Sequence, residues 1–309
     1  MSGTKQHYLQ RAYLHNFASR RKGKTHYILS FNKFTQAIEE RDVYQFCHER
    51  YFYDFTDDDG KVVPIDEMVI KPLEDELLPP FQEVCRNPTL EVLNKNRQGL
   101  ARFVAFVILR SAVYRANEKD ILAVVAEMEP DLEVQGTAKN DYKWRHYEYF
   151  EKAFDPTWRR LYSMDCRLLF NPGWKRMPFW TSDKAYLLPG VGVDGYSSAG
   201  TLLGDEVQWN TDATLLNRLD AELLLAVRPN LMLSFRSDAV HGTLPKLMHI
   251  SEDYVRAANE GQVRGCIRYV FSPQNNFQLA KDLLRRSPEY GDVNRRRVRP
   301  TLDDADTGQ

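Results

Sequence analysis

Phe103-Val104-Ala105-Phe106-Val107-Ile108-Leu109-Arg110 is the run on which the fold turns. From Leu100 to Val113 apolar residues cover almost the whole circumference of a helix, and such a helix belongs in the middle of a core. At about 14 residues it is too short to cross a bilayer. The guanidinium of Arg110 has two explanations. On a buried helix it must meet a carboxylate or a bound anion, because an unpaired buried charge is costly. At the C-terminal end of the helix its long stem can instead reach water, where the helix dipole also favours a cation.

Met68, Val69, Leu73 and Leu77 repeat at three to four residues from Ile65 and predict a second helix, which Pro79-Pro80 should stop or break. Lys119 to Met128 predicts a helix closed by Pro130, and Tyr142 to Phe154 an aromatic-rich one after a turn at Gly136 to Asn140. Strands flank this helical middle. Thr25 to Lys33 alternates through Tyr27, Leu29 and Phe31 after a basic turn at Arg20 to Lys24, and Cys47 to Phe55 leads into the turn Asp57-Asp58-Asp59-Gly60. Farther on, Cys166 to Phe170 and Pro178 to Leu188 read as strands, and Leu223 to Val227 with Leu231 to Phe235 as a strand pair or one bent strand around Pro229. Ile250 to Val263 predicts a helix capped by Ser251, and Ile267 to Phe271 a strand or helix. The class is α+β: a mostly helical core, short N-terminal strands and a mixed strand and helix C-terminal half. Residues 1–290 are expected to form one domain, with a subdivision near 155–165 left open. The charged tail 291–309, with Arg295, Arg296, Arg297 and Arg299 before Asp303, Asp304 and Asp306, is expected to be disordered.

The 42 Lys and Arg nearly cancel the 43 Asp and Glu, which removes any global electrostatic case for a nucleic-acid or membrane-surface protein. Met1 to Gln10 is polar, and no apolar run reaches the roughly 18 to 20 residues of a membrane span, so no membrane partner and a cytoplasmic address are expected. Cys47, Cys85, Cys166 and Cys266 lie far apart without a C-x-x-C pair and are expected to be buried, reduced thiols.

Several runs invite chemistry. Gly190-Val191-Gly192-Val193-Asp194-Gly195 matches the dinucleotide fingerprint letter by letter, but Tyr196 to Thr201 starts no helix, and a plain loop without dinucleotide is expected. Glu67 and Glu74 are two turns apart on one predicted helix face, where paired carboxylates can hold a divalent metal or act as acid and base; Lys71, four residues after Glu67, offers an ordinary surface ion pair instead. Thr181-Ser182-Asp183 at a strand end is most easily a side-chain-capped turn. Trp144, Arg145, His146, Tyr147 and Tyr149, with Trp158, Arg159 and Arg160, mix bases and aromatics as single-strand nucleic-acid surfaces do, and equally as a helix with an aromatic core face and a basic solvent face does.

The run Gln6-His7-Tyr8, Arg11, Tyr13-Leu14, Asn16-Phe17 resembles the N-terminal signature of a microbial family, the domain of unknown function numbered 4238. Glu67, Ile70, Leu73 and Glu74 look like its paired-glutamate helix, and Phe103 to Arg110 like its apolar helix ending in Arg. Trp180-Thr181-Ser182-Asp183 resembles its Phe-x-Thr-Ser-Asp strand end, and Asn259 through Arg268 to Ser272 its C-terminal helix and strand. The chain departs from the pattern at Gln10, where the family has Pro, and at Lys184-Ala185, where it has Asn-Pro. The resemblance implies a shared fold and a shared site made of His7, Arg11, Asn16, Glu67, Glu74, Arg110, Ser182, Asp183 and Asn259.

Two functional readings fit these residues. In the first, His7, Arg11, Glu67, Glu74, Arg110 and Asp183 are catalytic, with Asn16, Ser182 and Asn259 binding, in an enzyme acting on a phosphorylated small molecule or a nucleic acid, nuclease-like, with a divalent metal allowed. In the second, the chain is a non-enzymatic binding or interaction protein, and the same polar residues form a buried ion-pair network that fixes the fold. A site requires convergence on an open pocket; a network requires burial and mutual satisfaction. Either way His7, Arg11, Glu74, Arg110 and Asp183 should lie near one another.

Overall fold

The apolar helix is central, as its circumference requires. The structure, a computed structural model, describes residues 5–57, 59–116, 141–189, 198–203, 206–209, 222–237, 245–295 and 298–301. Its helices in chain order are α1 (Arg11–Leu14), α2 (Lys71–Arg86), α3 (Leu90–Lys95), α4 (Arg97–Leu109), α5 (Asp141–Ser163), α6 (Glu252–Gly265) and α7 (Gln278–Arg286), with a helical turn at 112–116. On α4, Leu100, Ala101 and every residue from Phe103 to Leu109 are buried. α2 packs against one side of it, with Phe81 stacked on Phe103 at 4.1 Å, and α5 against another, with Phe150 edge-on to Phe106 at 6.0 Å. Arg97 at the start of α4 donates to the carbonyls of Leu161 and Tyr162, both at 3.2 Å, and of Met164, satisfying the C-terminal end of α5.

Pro79 and Pro80 do not stop α2, which runs through both to Arg86. The carbonyls they leave without a partner belong to Asp75 and Glu76, exposed residues that water can serve. Room for the Pro80 ring comes from Gly99 on α4, where a Cβ would lie 2.7 Å from Pro80 Cγ. Ahead of α2, Asp66–Ile70 is a π-helical turn.

Two five-stranded sheets join distant parts of the chain. One runs Tyr186–Leu187, Glu222–Arg228, Leu231–Arg236, Asp165–Phe170, Leu247–His249, antiparallel except for the last pair. The expected pair around Pro229 is its central hairpin, buried on both faces over Leu223–Val227 and Leu231–Phe235. The other runs Arg20–Lys22, Thr25–Asn32, Tyr269–Ser272, Thr181–Ser182, with Ile38–Asp42 on the free edge of Thr25–Asn32. Of the 267–271 segment, Tyr269–Phe271 is strand, following α6, whose cap Ser251 accepts the Tyr254 N–H. One hydrophobic cluster extends from Leu9 to Phe271, and the four free cysteines are all buried.

Pro178 to Leu188 is not a single strand: Thr181–Ser182 and Tyr186–Leu187 belong to different sheets, because the capped turn after Ser182 redirects the chain. In the tail 291–309, Val298–Thr301 pairs in parallel with Ser198–Leu203. The helix expected at Lys119–Met128, the turn at Gly136–Asn140 and the glycine run Gly190–Gly195 lie outside the described residues. Among the described residues no helix is long and apolar enough to cross a membrane.

Candidate functional site

Strand Lys5–His7 pairs antiparallel with His48–Arg50 and passes the C-terminal end of α4. Gln6 turns inward, where its Nε2 donates to Asp54 at 2.6 Å and its Oε1 accepts the Tyr53 N–H at 2.7 Å. This anchors Tyr53 beside Arg110, whose side chain is only 2% exposed. Each guanidinium nitrogen has an acceptor: Nη1 donates to Glu74 Oε2 at 2.6 Å, Nε to the Tyr53 hydroxyl at 3.0 Å, and Nη2 to the His7 carbonyl. Arg110 caps α4 and is also paired inside, so of the two explanations for its charge, burial with a carboxylate holds. Burial works against that charge, but Tyr53 and Glu74 outweigh it and hold the guanidinium above its ordinary pKa.

Asp66 stands nearby, its carboxyl raised by burial while the charge of Arg110 acts against the rise. Glu67, by contrast, is exposed and joins neither Glu74 nor Lys71. The π-turn at Asp66–Ile70 is the reason: its wider turn rotates Glu67 off the face that a continuous α-helix would share with Glu74.

A second polar group lies at the strand end. Asp183, 2% exposed, accepts three backbone N–H groups, Ile267 on Oδ1 at 2.7 Å and Arg268 and Tyr269 on Oδ2 at 2.7 and 2.9 Å. Burial raises its carboxyl, and these donors oppose the rise. Ser182 donates to Gln262 at 2.6 Å and accepts the N–H groups of Lys184 and Ala185, forming the expected capped turn. Asn259 bridges the Trp180 N–H at 2.8 Å and the Pro178 carbonyl at 2.9 Å. Asn16 reaches only the Cys85 sulfur, at 3.7 Å.

Residues 5–276 match the family described as Protein of unknown function (DUF4238). The chain belongs to that family. No curated protein and no solved structure matches the chain. Of the nine residues that the resemblance points to, the structure joins Arg110, Glu74 and the backbone of His7 directly. Arg11 stands close enough to lower the His7 imidazole, whose pKa falls to about 4 through burial first, then Arg11 and His48. Asp183 makes no bond to Arg110 or Glu74; its charge acts on Tyr8 and Cys47, raising both after burial. Ser182 and Asn259 belong with Asp183, while Glu67 and Asn16 stand apart. Among the described residues no group of three or more His, Cys, Asp or Glu could hold a metal ion.

Tyr53, Asp54, Tyr44 and His48 were not singled out by sequence. Gln6, inside the DUF4238 run, pointed toward Tyr53 and Asp54 only through a strand pairing that spans more than forty residues.

Proposed function

We propose that this chain is a non-enzymatic binding or interaction protein whose buried DUF4238 residues fix the fold. The observation that supports this is Arg110: its side chain is 2% exposed and each guanidinium nitrogen already holds a protein acceptor, so the group is turned into the protein and away from a solvent-borne phosphate. The competing reading, a hydrolase of phosphorylated or phosphodiester substrates, would need Arg110, Glu74 and Asp183 to face one open pocket. Both oxygens of Asp183 are occupied by backbone donors instead.

Chemical unfolding of the wild type, Arg110→Ala, Glu74→Ala and the apolar double variant Arg110→Met/Glu74→Leu tests the reading, alongside assays of nitrophenyl phosphate mono- and diesters and single-stranded DNA. Loss of stability in the single variants, recovery in the double variant and no turnover by the wild type are expected. Turnover that Arg110→Ala abolishes without unfolding the protein would overturn it.

A further inference from the structure

On the outer side of strand Lys5–His7 lies a set of side chains that the Arg110 network does not use. Tyr44, 42% exposed, sits in the 3-10 turn Val43–Gln45, and four groups surround its ring. The guanidinium carbon of Arg11 is 5.2 Å from the ring centre and the Lys5 ammonium 5.4 Å. The rings of His7 and His48 are 5.3 and 6.4 Å away. Strand geometry explains the grouping. His7 is directly opposite His48 and Lys5 opposite Arg50, and alternation puts these four positions on one face and Gln6 and Glu49 on the other.

Some surface cations find carboxylates, as Arg20 does Glu40, Lys95 does Glu83 and Arg285 does Asp282, while others, such as Lys22 and Lys71, make no ion pair among the described residues. Among the described residues Lys5, Arg11 and Arg50 have no ion pair or hydrogen bond, and neither has the Tyr44 hydroxyl. Asp42, the closest acid along the chain, already accepts the Tyr44 N–H at 3.0 Å. Lys5, Arg11, two imidazoles and a phenol thus converge on one face, with Arg50 at the register position opposite Lys5, and none of the three cations is ion-paired among the described residues. That arrangement fits an anion with several acceptor oxygens, because charge-assisted hydrogen bonds are the strongest available at an exposed site.

We infer that Lys5, His7, Arg11, Tyr44, His48 and Arg50 form a binding site for a phosphate monoester. The compact anion is favoured over a polyanion because the strand Ile38–Asp42 leading into this face carries Glu39, Glu40 and Asp42, and the chain's net charge of -1 adds no wider positive field. Arg11 supplies the fork, Lys5 and Arg50 point charges, and Tyr44 a neutral donor. The inference rests on the binding-protein reading and names its ligand.

Titration calorimetry of the full chain with inorganic phosphate and with phenyl phosphate, in low-salt buffer, tests it. Saturable one-to-one binding is expected, weakened at least about tenfold in Arg11→Met, since loss of a charge-assisted hydrogen bond changes affinity by that order. Arg11→Lys should recover part of the affinity, Arg285→Met should bind as the wild type does, and the melting temperature of Arg11→Met should not move. No saturable binding, equal binding by Arg11→Met, or tighter binding of a single-stranded oligonucleotide than of either phosphate would overturn the site. Release of nitrophenol from nitrophenyl phosphate with binding intact would support the site and overturn the non-enzymatic reading, so the two failures are distinguishable.

Discussion

Arg110 and Arg11 lie on opposite sides of the strand Lys5–His7, and the same residue type faces opposite conditions there. Arg110 is sealed in the core and bonded to Glu74, Tyr53 and the His7 carbonyl. Arg11 is exposed, rests on Tyr44 and has no carboxylate. His7 is shared between them, its carbonyl serving one arginine and its imidazole standing beside the other. Burial decides the difference. A buried guanidinium must be matched by the protein itself, whereas an exposed one can leave its donors to water until a ligand arrives.

The largest expected effect on this comparison is at Arg110. Its replacement by alanine leaves Glu74 unpaired and strips acceptors of their donor, and should cost about 3 to 5 kcal/mol in urea unfolding. A cost below about 1 kcal/mol would place Arg110 among ordinary surface ion pairs. Asp183→Ala should follow at about 2 to 4 kcal/mol, because three backbone N–H groups lose their acceptor in a buried place. Asp183→Asn should cost less, since the amide oxygen still accepts. Gly99→Ala tests the close approach of α2 and α4. Alanine normally gains about 1 kcal/mol over glycine in a helix, but here the Pro80 ring must move, and a net loss of about 1 to 3 kcal/mol is expected.

Acid should weaken the fold through its histidines. Burial and Arg115 pull His146 down to about 3, and His7 and His15 fall to about 4, burial being the first cause in both. Each then binds fewer protons in the folded than in the unfolded chain, so its stabilisation is complete above the ordinary histidine value of 6.5 and is lost as pH falls from there toward 4. Asp66 and Asp183, raised by burial, act with the opposite sign as pH falls through their raised values toward the ordinary carboxylate range. Unfolding free energy measured at pH 7 and pH 5 should fall with acid, and less steeply in His146→Gln. A flat profile would mean these imidazoles are not shielded. The smallest stability effect belongs to Arg11→Met, within about 0.5 kcal/mol as for other unpaired surface positions. A larger loss would show that Arg11 is structural, and the contrast with Arg110 would vanish.

Much of the architecture could be read where one local pattern leaves a single physical solution. An all-round apolar helix has nowhere to go but the core, the Leu223–Val227 and Leu231–Phe235 runs around Pro229 are strand in either of their two readings, and Ser251 ahead of two acids caps a helix. Errors arose where a rule was right locally and overruled by a neighbour. Pro79-Pro80 removes two hydrogen bonds from α2, but the carbonyls of Asp75 and Glu76 that lose their donors are on exposed residues and Gly99 of α4 leaves room for the Pro80 ring, so the helix continues. The spacing of Glu67 and Glu74 implies a shared face only if the helix is regular, and a π-turn intervenes.

Residue chemistry alone required that Arg110 find an acceptor, that the cysteines be buried and that the class be α+β, because desolvation and periodicity act on the chain wherever it folds. Which acceptor Arg110 found was decided by long-range packing, which brings Glu74, Tyr53 and His7 to the end of α4 from 36, 57 and 103 residues away. The same holds for the cations around Tyr44. Their charges are visible in the sequence, but only the pairing of Lys5–His7 with His48–Arg50 gathers them on one face, since strand register is set by the buried partners and not by the exposed side chains it brings together.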